Sequence, residues 1–459
     1  MYFYLQAASI KLFGDSVAGV RVVSALIGTL AVLFTYLLAR RLFGRTAALL
    51  AAAFLAVYHY HLFFSRVASV QVADTLFVVA SLYFLDRAFG EQRRVDAVLA
   101  GIALGFSQYF SFAGRLMLPV LGAYLLFALV RPAEKRVAPS WATDWQPRVR
   151  LAGWVLLSAT VTAMPLLAYY VDHPIEFVSR LNQVSMLASG WLANELQATG
   201  KGAPEVIWWQ IQRAILLPFY TPLGGWYRGG PPLAGEPAAV LMAIGMTLAT
   251  LLAFHRRYFG LAVAYWGAVV GLGLTDDASA TQRFVIVAPL LAIFLALGVY
   301  TLMRIGANLV GFRRADLAAV VAAGMVALAA WNIDYYFITP GVTRLYGDGN
   351  SLIATELGYY LRLDEANPTV YFFGVPRMAY RGFSSLPFIA RRTHAIDVEK
   401  PWTSAADVPV IESPTAFVFL PGHEQELALV RQQYPGGVFT EFRFDQGGIL
   451  FTVYEVVPQ

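Results

Sequence analysis

The run HYHLFFSRVASVQVADTLF, residues 59–77, places His59, His61, Arg66, Gln71 and Asp74 at the junction of two strongly apolar stretches. Ionisable side chains beside or inside apolar helices are costly to keep there, so each is a candidate for function. A carboxylate such as Asp74 can take a proton from a hydroxyl at such a junction. It can also form a salt bridge with Arg66 or serve as a helix-start charge. The His-Tyr alternation suits either substrate contact or an interfacial anchor, and two His residues without a third ligand do not make a metal site. Two further cations open apolar stretches: Arg115 follows YFSFAG, and Arg283 follows TDDASATQ, which also supplies Asp276, Asp277 and Gln282. A guanidinium at an interface can grip a phosphate through its bidentate fork, or merely reach for water. No P-loop, dinucleotide fingerprint, nucleophile elbow or His-Glu zinc-helix pattern is present, and the chain has no cysteine.

The elements that must position these groups follow from composition. Hydrophobic residues make up 58% of the 459 and charged residues only 14%, against roughly half and a quarter in soluble domains. The apolar residues cluster into stretches long enough to cross about 30 Å of hydrocarbon as helices. Ten spans are predicted, at 17–39, 46–64, 67–86, 96–111, 114–130, 151–171, 236–254, 258–275, 284–303 and 316–337. Gly101 and Gly105 have the spacing of a small-residue helix contact. The fold class expected is thus an α-helical polytopic membrane protein with about ten transmembrane helices and a small C-terminal α/β extracytoplasmic domain. The transmembrane part is 1–339 with an outer loop at 172–235, and the soluble part is 340–459.

Orientation comes from charge. Alternate loops between the ten spans hold sixteen Lys and Arg residues, including Arg40, Arg41, Arg87, Arg93, Lys135, Arg136, Arg256 and Arg257, whereas the opposite loops hold seven, among them Arg66, Arg115, Arg180, Arg228 and Arg283. By the positive-inside rule the first set is cytoplasmic. The chain is therefore expected in the cell membrane, with its tail and its first residues outside. The net charge of +5 reflects this asymmetry, and no concentrated basic face suggests a nucleic-acid partner. The outer loop is rich in Trp, Tyr, Gly and Pro, as in Trp208-Trp209 and TPLGGWYRGGPP, a composition that suits the membrane interface or a substrate. In the tail, TVYFFG (369–374), TAFVFLPG (415–422) and ILFTVYEV (449–456) read as strands, with helical patterns near 350–363 and 424–433.

Leu12-Phe13-Gly14 enters the first span, an Arg-rich turn from Arg40 to Arg45 carries a second Phe-Gly, and the next span emerges at Ser65-Arg66. This pattern over about the first 130 residues resembles the glycosyltransferase family 39 group of the C-type superfamily, which includes protein mannosyltransferases and bacterial lipid-modifying relatives. DHPIEFVSRLNQVSML (172–187) and ATQRFVIVAPLLAIF (280–294) look like the outer loop and late Arg-plus-Pro helix of bacterial members. The resemblance implies an inverting transferase that moves a sugar from a polyprenyl-phosphate donor to an acceptor protein, lipid or polysaccharide on the outer face. Arg66, Arg115 and Arg283 are expected to bind the donor phosphate, with His59, His61, Gln282, Asp276 and Asp277 as possible substrate contacts. Family members carry their base, an Asp often followed by Glu, in a loop after the first helix. The matching pattern here begins beyond that point, at Tyr2, so the chain is expected to lack an N-terminal helix and acidic loop, which leaves Asp74 as the first carboxylate to test. No cofactor is specified, and a divalent metal is left open. A transporter or flippase, and an inactive truncated scaffold, are the alternative readings; against transport, the charges gather at one face and no inverted repeat is visible.

Two outcomes are expected. A reporter active only outside the cytoplasm, fused after residue 340, should be active; activity confined to a cytoplasmic reporter overturns the orientation. The 459-residue chain should transfer sugar poorly, while an upstream extension by one helix and its acidic loop should restore turnover, since a general base contributes roughly 10²–10⁴-fold.

Overall fold

The computed structural model describes residues 1–131, 145–227, 233–310, 313–338, 349–444 and 447–458. Lys135, Arg136, Arg228 and the expected domain boundary at 339/340 lie outside the described residues. By its internal contacts the chain divides into two units, Met1–Tyr346 and Gly347–Gln459.

The first unit is helical. It begins with α1 (Tyr2–Phe13), α2 (Val17–Phe43), α3 (Arg45–Val57), α4 (His59–Arg66), α5 (Val72–Glu91), α6 (Arg94–Ser107) and α7 (Met117–Val130). There follow α8 (Gln146–Asp172), α9 (Pro174–Val184), α10 (Trp191–Thr199), α11 (Ala203–Leu216), α12 (Glu236–Leu251), α13 (Arg256–Gly273), the single turn α14 (Thr281–Phe284), α15 (Ala288–Ile305) and α16 (Arg314–Ile333). Phe13-Gly14 and Phe43-Gly44 both end helices: Gly14 has φ +84° after α1 and Gly44 has φ +93° between α2 and α3. That left-handed backbone suits glycine, which has no Cβ to clash, and it lets the chain reverse within one residue. Ser16 starts α2 by accepting the Gly19 amide at 3.0 Å.

The packing is centred on α15, whose apolar window is 83% buried against 22% for α8 and 6% for the span containing α16. It lies against α12, α3, α2 and α5. Glycines set the closest approaches. A Cβ on Gly298 of α15 would come 2.9 Å from the Leu241 carbonyl carbon, and one on Gly105 of α6 would meet the Ala159 carbonyl oxygen of α8 at 2.8 Å. The Gly101–Gly105 spacing is thus used as read, in a helix pair too close for larger side chains.

Among the described residues, five helices are long and apolar enough to cross a membrane, and seven spans result if the bent pairs Arg45–Val57 with His59–Arg66 and Pro237–Leu251 with Arg256–Gly273 each count as one. The expected ten is therefore not reached on length and composition. Two differences have plain causes. The α6 helix has only 14 residues, about 21 Å at 1.5 Å per residue, and α5 carries Asp74, Asp86, Arg87 and Glu91.

Those charges are compensated. Asp86 of α5 accepts from Arg41 of α2 and, at 3.1 Å, from Nε of Arg256 on α13, while its backbone carbonyl accepts from Arg256 Nη2 at 2.6 Å. Asp96, which is 2% exposed, takes Arg93 at 3.2 Å and Arg87 at 3.4 Å. Every cation here belongs to the set assigned to the cytoplasm.

The second unit has helices α17 (Gly349–Leu363), α18 (Ser385–Ile389) and α19 (Glu424–Gln433). Its sheet comprises β1 (Thr369–Phe373), β2 (Ala395–Asp397), β3 (Thr415–Phe419), β4 (Val438–Arg443) and β5 (Ile449–Val456), in the order β2-β1-β3-β5-β4. The β1 strand is parallel to β2 and β3, and β5 is antiparallel to β3 and β4. Period-two alternation feeds two cores: Val370 and Phe372 pack with Leu357 and Leu386, while Phe373 packs with Phe419 and Val430. The three strands and two helices read from sequence coincide with β1, β3, β5, α17 and α19. The β2 strand, at three residues, and the largely solvent-facing β4 gave no apolar run to read.

Asp86→Ala would leave Arg256 without its carboxylate partner and Arg41 with Glu91 alone, the two guanidinium groups facing each other. A destabilisation of about 1–3 kcal/mol is expected, below the buried-pair range because both guanidinium groups are partly hydrated. A thermal melt in detergent checks it, and an unchanged midpoint would show that the network is incidental.

Candidate functional site

Asp74 lies in the first turn of α5 and is 1% exposed. Its Oδ2 accepts from Ser111 Oγ at 2.5 Å, and its Oδ1 has no hydrogen-bond partner. Ser111 also accepts the Ala113 amide at 3.1 Å, which starts the single helical turn Phe112–Leu116. Gln108 Nε2 reaches the Gly114 carbonyl at 3.0 Å and closes the turn from the other side. At its end stands Arg115, whose Nη2 donates to Tyr170 Oη of α8 at 2.9 Å and whose Nη1 donates to the Phe177 carbonyl of α9. The rings of Phe112, Tyr170 and Phe177 all face its guanidinium, the last with a centroid at 4.7 Å. Arg115 is thereby fixed in direction with its charge intact.

The second cation arrives on a strap, residues 274–284, between α13 and α15. The Met186 amide donates to the Leu274 carbonyl at 3.0 Å, and the Asp276 amide donates to the Val184 carbonyl at 2.9 Å. At the far end, the Gly224 amide reaches the Ser279 carbonyl at 3.0 Å, and Gln282 Oε1 accepts from the Trp226 amide at 3.0 Å. Arg283, in α14, donates Nη1 to Asp276 Oδ1 at 2.5 Å, and its buried Nε has no partner.

Arg115 and Arg283 line one cavity of about 630 Å³, together with Arg180, Gln71, Ser111 and Gln282. Most of the wall is apolar, including Leu116, Leu181, Leu187, Ala268, Leu272 and Leu274. Arg180 of α9 is bonded to Gln183 Oε1 at 2.9 Å. Among the described residues no carboxylate pairs with Arg115 or Arg180. Three cations, one of them paired to a carboxylate, thus surround an apolar-walled hollow, a composition that selects an anionic head on a hydrophobic body.

Several residues singled out from sequence lie away from this cavity. Arg66 does not join the other two cations: its guanidinium lies over the rings of Phe337 at 4.7 Å and Tyr336 at 5.4 Å, and Asp74 bonds Ser111 in place of Arg66. His59 and His61 are buried, at 0% and 2% exposure, and do not line the cavity. His59 Nδ1 bonds Tyr227 Oη, and its amide donates to Asn332 Oδ1 at 3.1 Å. His61 Nε2 faces the Gly28 carbonyl at 3.2 Å. Asp277 turns from the cavity to Ser279, accepting its amide at 2.9 Å and its hydroxyl at 2.5 Å. Asp276 touches the cavity only through Arg283, whereas Gln282 lines it directly. Arg180, Ser111 and Tyr170 were not singled out from sequence. The only sequence signal for Ser111 is its place as a cap residue four positions before Arg115.

Residues 1–143 match the family described as dolichyl-phosphate-mannose-protein mannosyltransferase. An uncharacterized protein of Aquifex aeolicus (strain VF5) is 28% identical over 158 residues, which are 34% of this chain; the match spans about a third, 32%, of that curated relative. Among solved structures, ArnT from Cupriavidus metallidurans bound to undecaprenyl phosphate is similar with a TM-score of 0.57 at 15% identity, covering 99% of this chain and 87% of that one. Its apo state gives 0.55 at 14% identity, covering 99% and 86%. The archaeal oligosaccharyltransferase AglB from Archaeoglobus fulgidus, in complex with an inhibitory peptide and a dolichol-phosphate, gives 0.51 at 15% identity, covering 86% of this chain and 55% of that one. At these identities the structural likeness is one of fold. Residues 1–143 are thus similar in sequence to that mannosyltransferase family, and over almost all its length the chain has a fold similar to that of ArnT.

Proposed function

We propose that this chain transfers a sugar from a polyprenyl-phosphate-linked donor to a hydroxyl-bearing acceptor, protein, lipid or polysaccharide, at the outer face of the membrane. The observation that carries the reading is the meeting of Arg115, Arg180 and Arg283 in a single apolar-walled cavity. A donor of this class is a long hydrocarbon ending in a charged phosphate, and the cavity offers both chemistries at one place. The outer-face assignment rests on the loop charges, because all three cations fall in the sparsely basic set.

In the reaction, an acceptor oxygen attacks the anomeric carbon and the bond from that carbon to the phosphate oxygen breaks. The bonding pair leaves on the polyprenyl phosphate, whose charge rises from one to two negative. Guanidinium groups already aimed at that oxygen stabilise the product-like transition state more than the donor, which lowers the barrier. The acceptor's proton must pass to a base. Asp74 is joined to the cavity wall through Ser111 and has a free Oδ1, whereas Asp276 is held by Arg283. Asp74 is therefore the better placed of the two, with a shift of the Ser111 bond on substrate binding as the requirement. AglB is solved with a dolichol-phosphate and ArnT with undecaprenyl phosphate, ligands of the chemistry proposed.

Arg115→Ala and Arg283→Ala should each weaken binding of undecaprenyl phosphate to the full chain in nanodiscs by about 1.5–3 kcal/mol, the size of a lost charge-assisted hydrogen bond. Arg66→Ala should change it by less than about 0.5 kcal/mol. Equal effects of all three, or none from Arg283→Ala, would count against the cavity as the phosphate site. Where turnover is measured, Asp74→Asn should reduce it by roughly 10²–10⁴-fold with little change in lipid binding; unchanged turnover removes Asp74 as the base.

A further inference from the structure

The cation on the strap is only as well placed as the strap itself, and one side chain from the outer loop holds it. Gln210, on α11, is fully buried, at 0% exposure. Its Nε2 donates to two successive carbonyls, those of Thr275 at 3.2 Å and Asp276 at 3.1 Å. Its Oε1 accepts from Arg213 Nη1 at 3.1 Å, which fixes the amide's orientation. Thr275 Oγ1 adds bonds to the Leu272 carbonyl at 2.7 Å and the Asp277 carbonyl at 3.1 Å. Asp276, held at its carbonyl by Gln210 and at its amide by the Val184 carbonyl, has only its carboxylate left to direct, and that carboxylate meets Arg283. The chain of contacts runs from α11 through Gln210 to the backbone of 275–276, then through the Asp276 carboxylate to Arg283.

We propose that Gln210 is a positioning residue for the anion site: it sets Asp276 and hence Arg283, and so couples the outer-loop helix α11 to occupancy of the cavity. The inference rests on the reading of that cavity as the lipid-phosphate site. A primary amide is the group the geometry requires, since two carbonyls need two N–H donors while the Arg213 guanidinium needs an acceptor. Glu in its place has the same shape and turns an oxygen toward two carbonyl oxygens. Gln210 does not line the cavity, so its effect on a ligand must be transmitted.

The test uses the full chain in nanodiscs with undecaprenyl phosphate as the probe. Gln210→Glu should weaken binding about tenfold, as expected for a lost pair of buried hydrogen bonds. Gln210→Ala combined with Arg283→Ala should bind no more weakly than Arg283→Ala alone, because the two act in one chain of contacts. A purely structural role gives additive losses and overturns the proposal, as does wild-type affinity for Gln210→Glu while Arg283→Ala is impaired. Wild-type affinity in both variants overturns the cavity reading and the positioning role with it. Hydrogen exchange on the unmodified chain tests the coupling without substitution, should the variants not fold. Adding the lipid should slow exchange in 203–216 and 275–284 together, and slowing in 275–284 alone would overturn it.

Discussion

A guanidinium that is to receive an anion must be aimed without being neutralised, and the cavity end of the helical unit is organised around that constraint. Arg115 is aimed by a phenol, a backbone carbonyl and three aromatic faces, and Arg180 by a side-chain amide. Each of these partners carries at most a partial charge, so direction is gained while most of the field stays available to a ligand. Arg283 is the exception. Its carboxylate partner takes one side of the fork and leaves Nε unmet. The opposite end shows the opposite treatment. Asp86 and Asp96 are closed in by two cations each, which leaves no vacancy for an anion and joins α2, α5, α6 and α13 where they meet.

That division explains how α5 serves both ends. Its first turn supplies Asp74 to Ser111 of the cavity wall and its C-terminal part supplies Asp86 to the ion-pair network at the other end, separated by apolar residues that pack on α2 and α15. A helix carrying so much charge is a poor span by hydropathy alone, yet Asp86, Arg87 and Glu91 each pair with a charge on a neighbouring helix, and Asp74 bonds Ser111. The same logic governs α15: it needs no charge to be held, because it is surrounded on most sides and its Gly298, with Gly245 of α12, brings the two helices close.

The sequence made the framework legible where a local rule acts. The apolar stretches and the β-rich runs at 369–374, 415–422 and 449–456 announced helices and strands, whereas the helix Tyr2–Phe13 before Gly14 was not read. Arg115 and Arg283 stood out because each cation opens an apolar helix. What local rules cannot supply is convergence. Arg66 has the same credentials as Arg115, yet its helix directs it onto the rings of Tyr336 and Phe337. His59 and His61 alternate as interfacial residues do, and are instead enclosed because Tyr227 and Asn332 arrive from distant parts of the chain. Gln210 and Tyr170 are ordinary polar residues until residues 60 or so positions away are folded against them.

The apolar wall of the cavity bears on the energetics as well as on the choice of ligand. In water a phosphate and a guanidinium gain little from meeting, because both are already well solvated, whereas beside Leu272, Leu274 and Leu187 the screening falls and the same contact is worth several times more. A hydrocarbon tail seated along that wall would displace the water that weakens the contact, so the tail strengthens the grip on its own headgroup. A free sugar phosphate lacks the means to do this. On that argument a lipid-linked donor is favoured over a soluble one by its solvation, even where the two present the same phosphate and the same sugar to the same three cations.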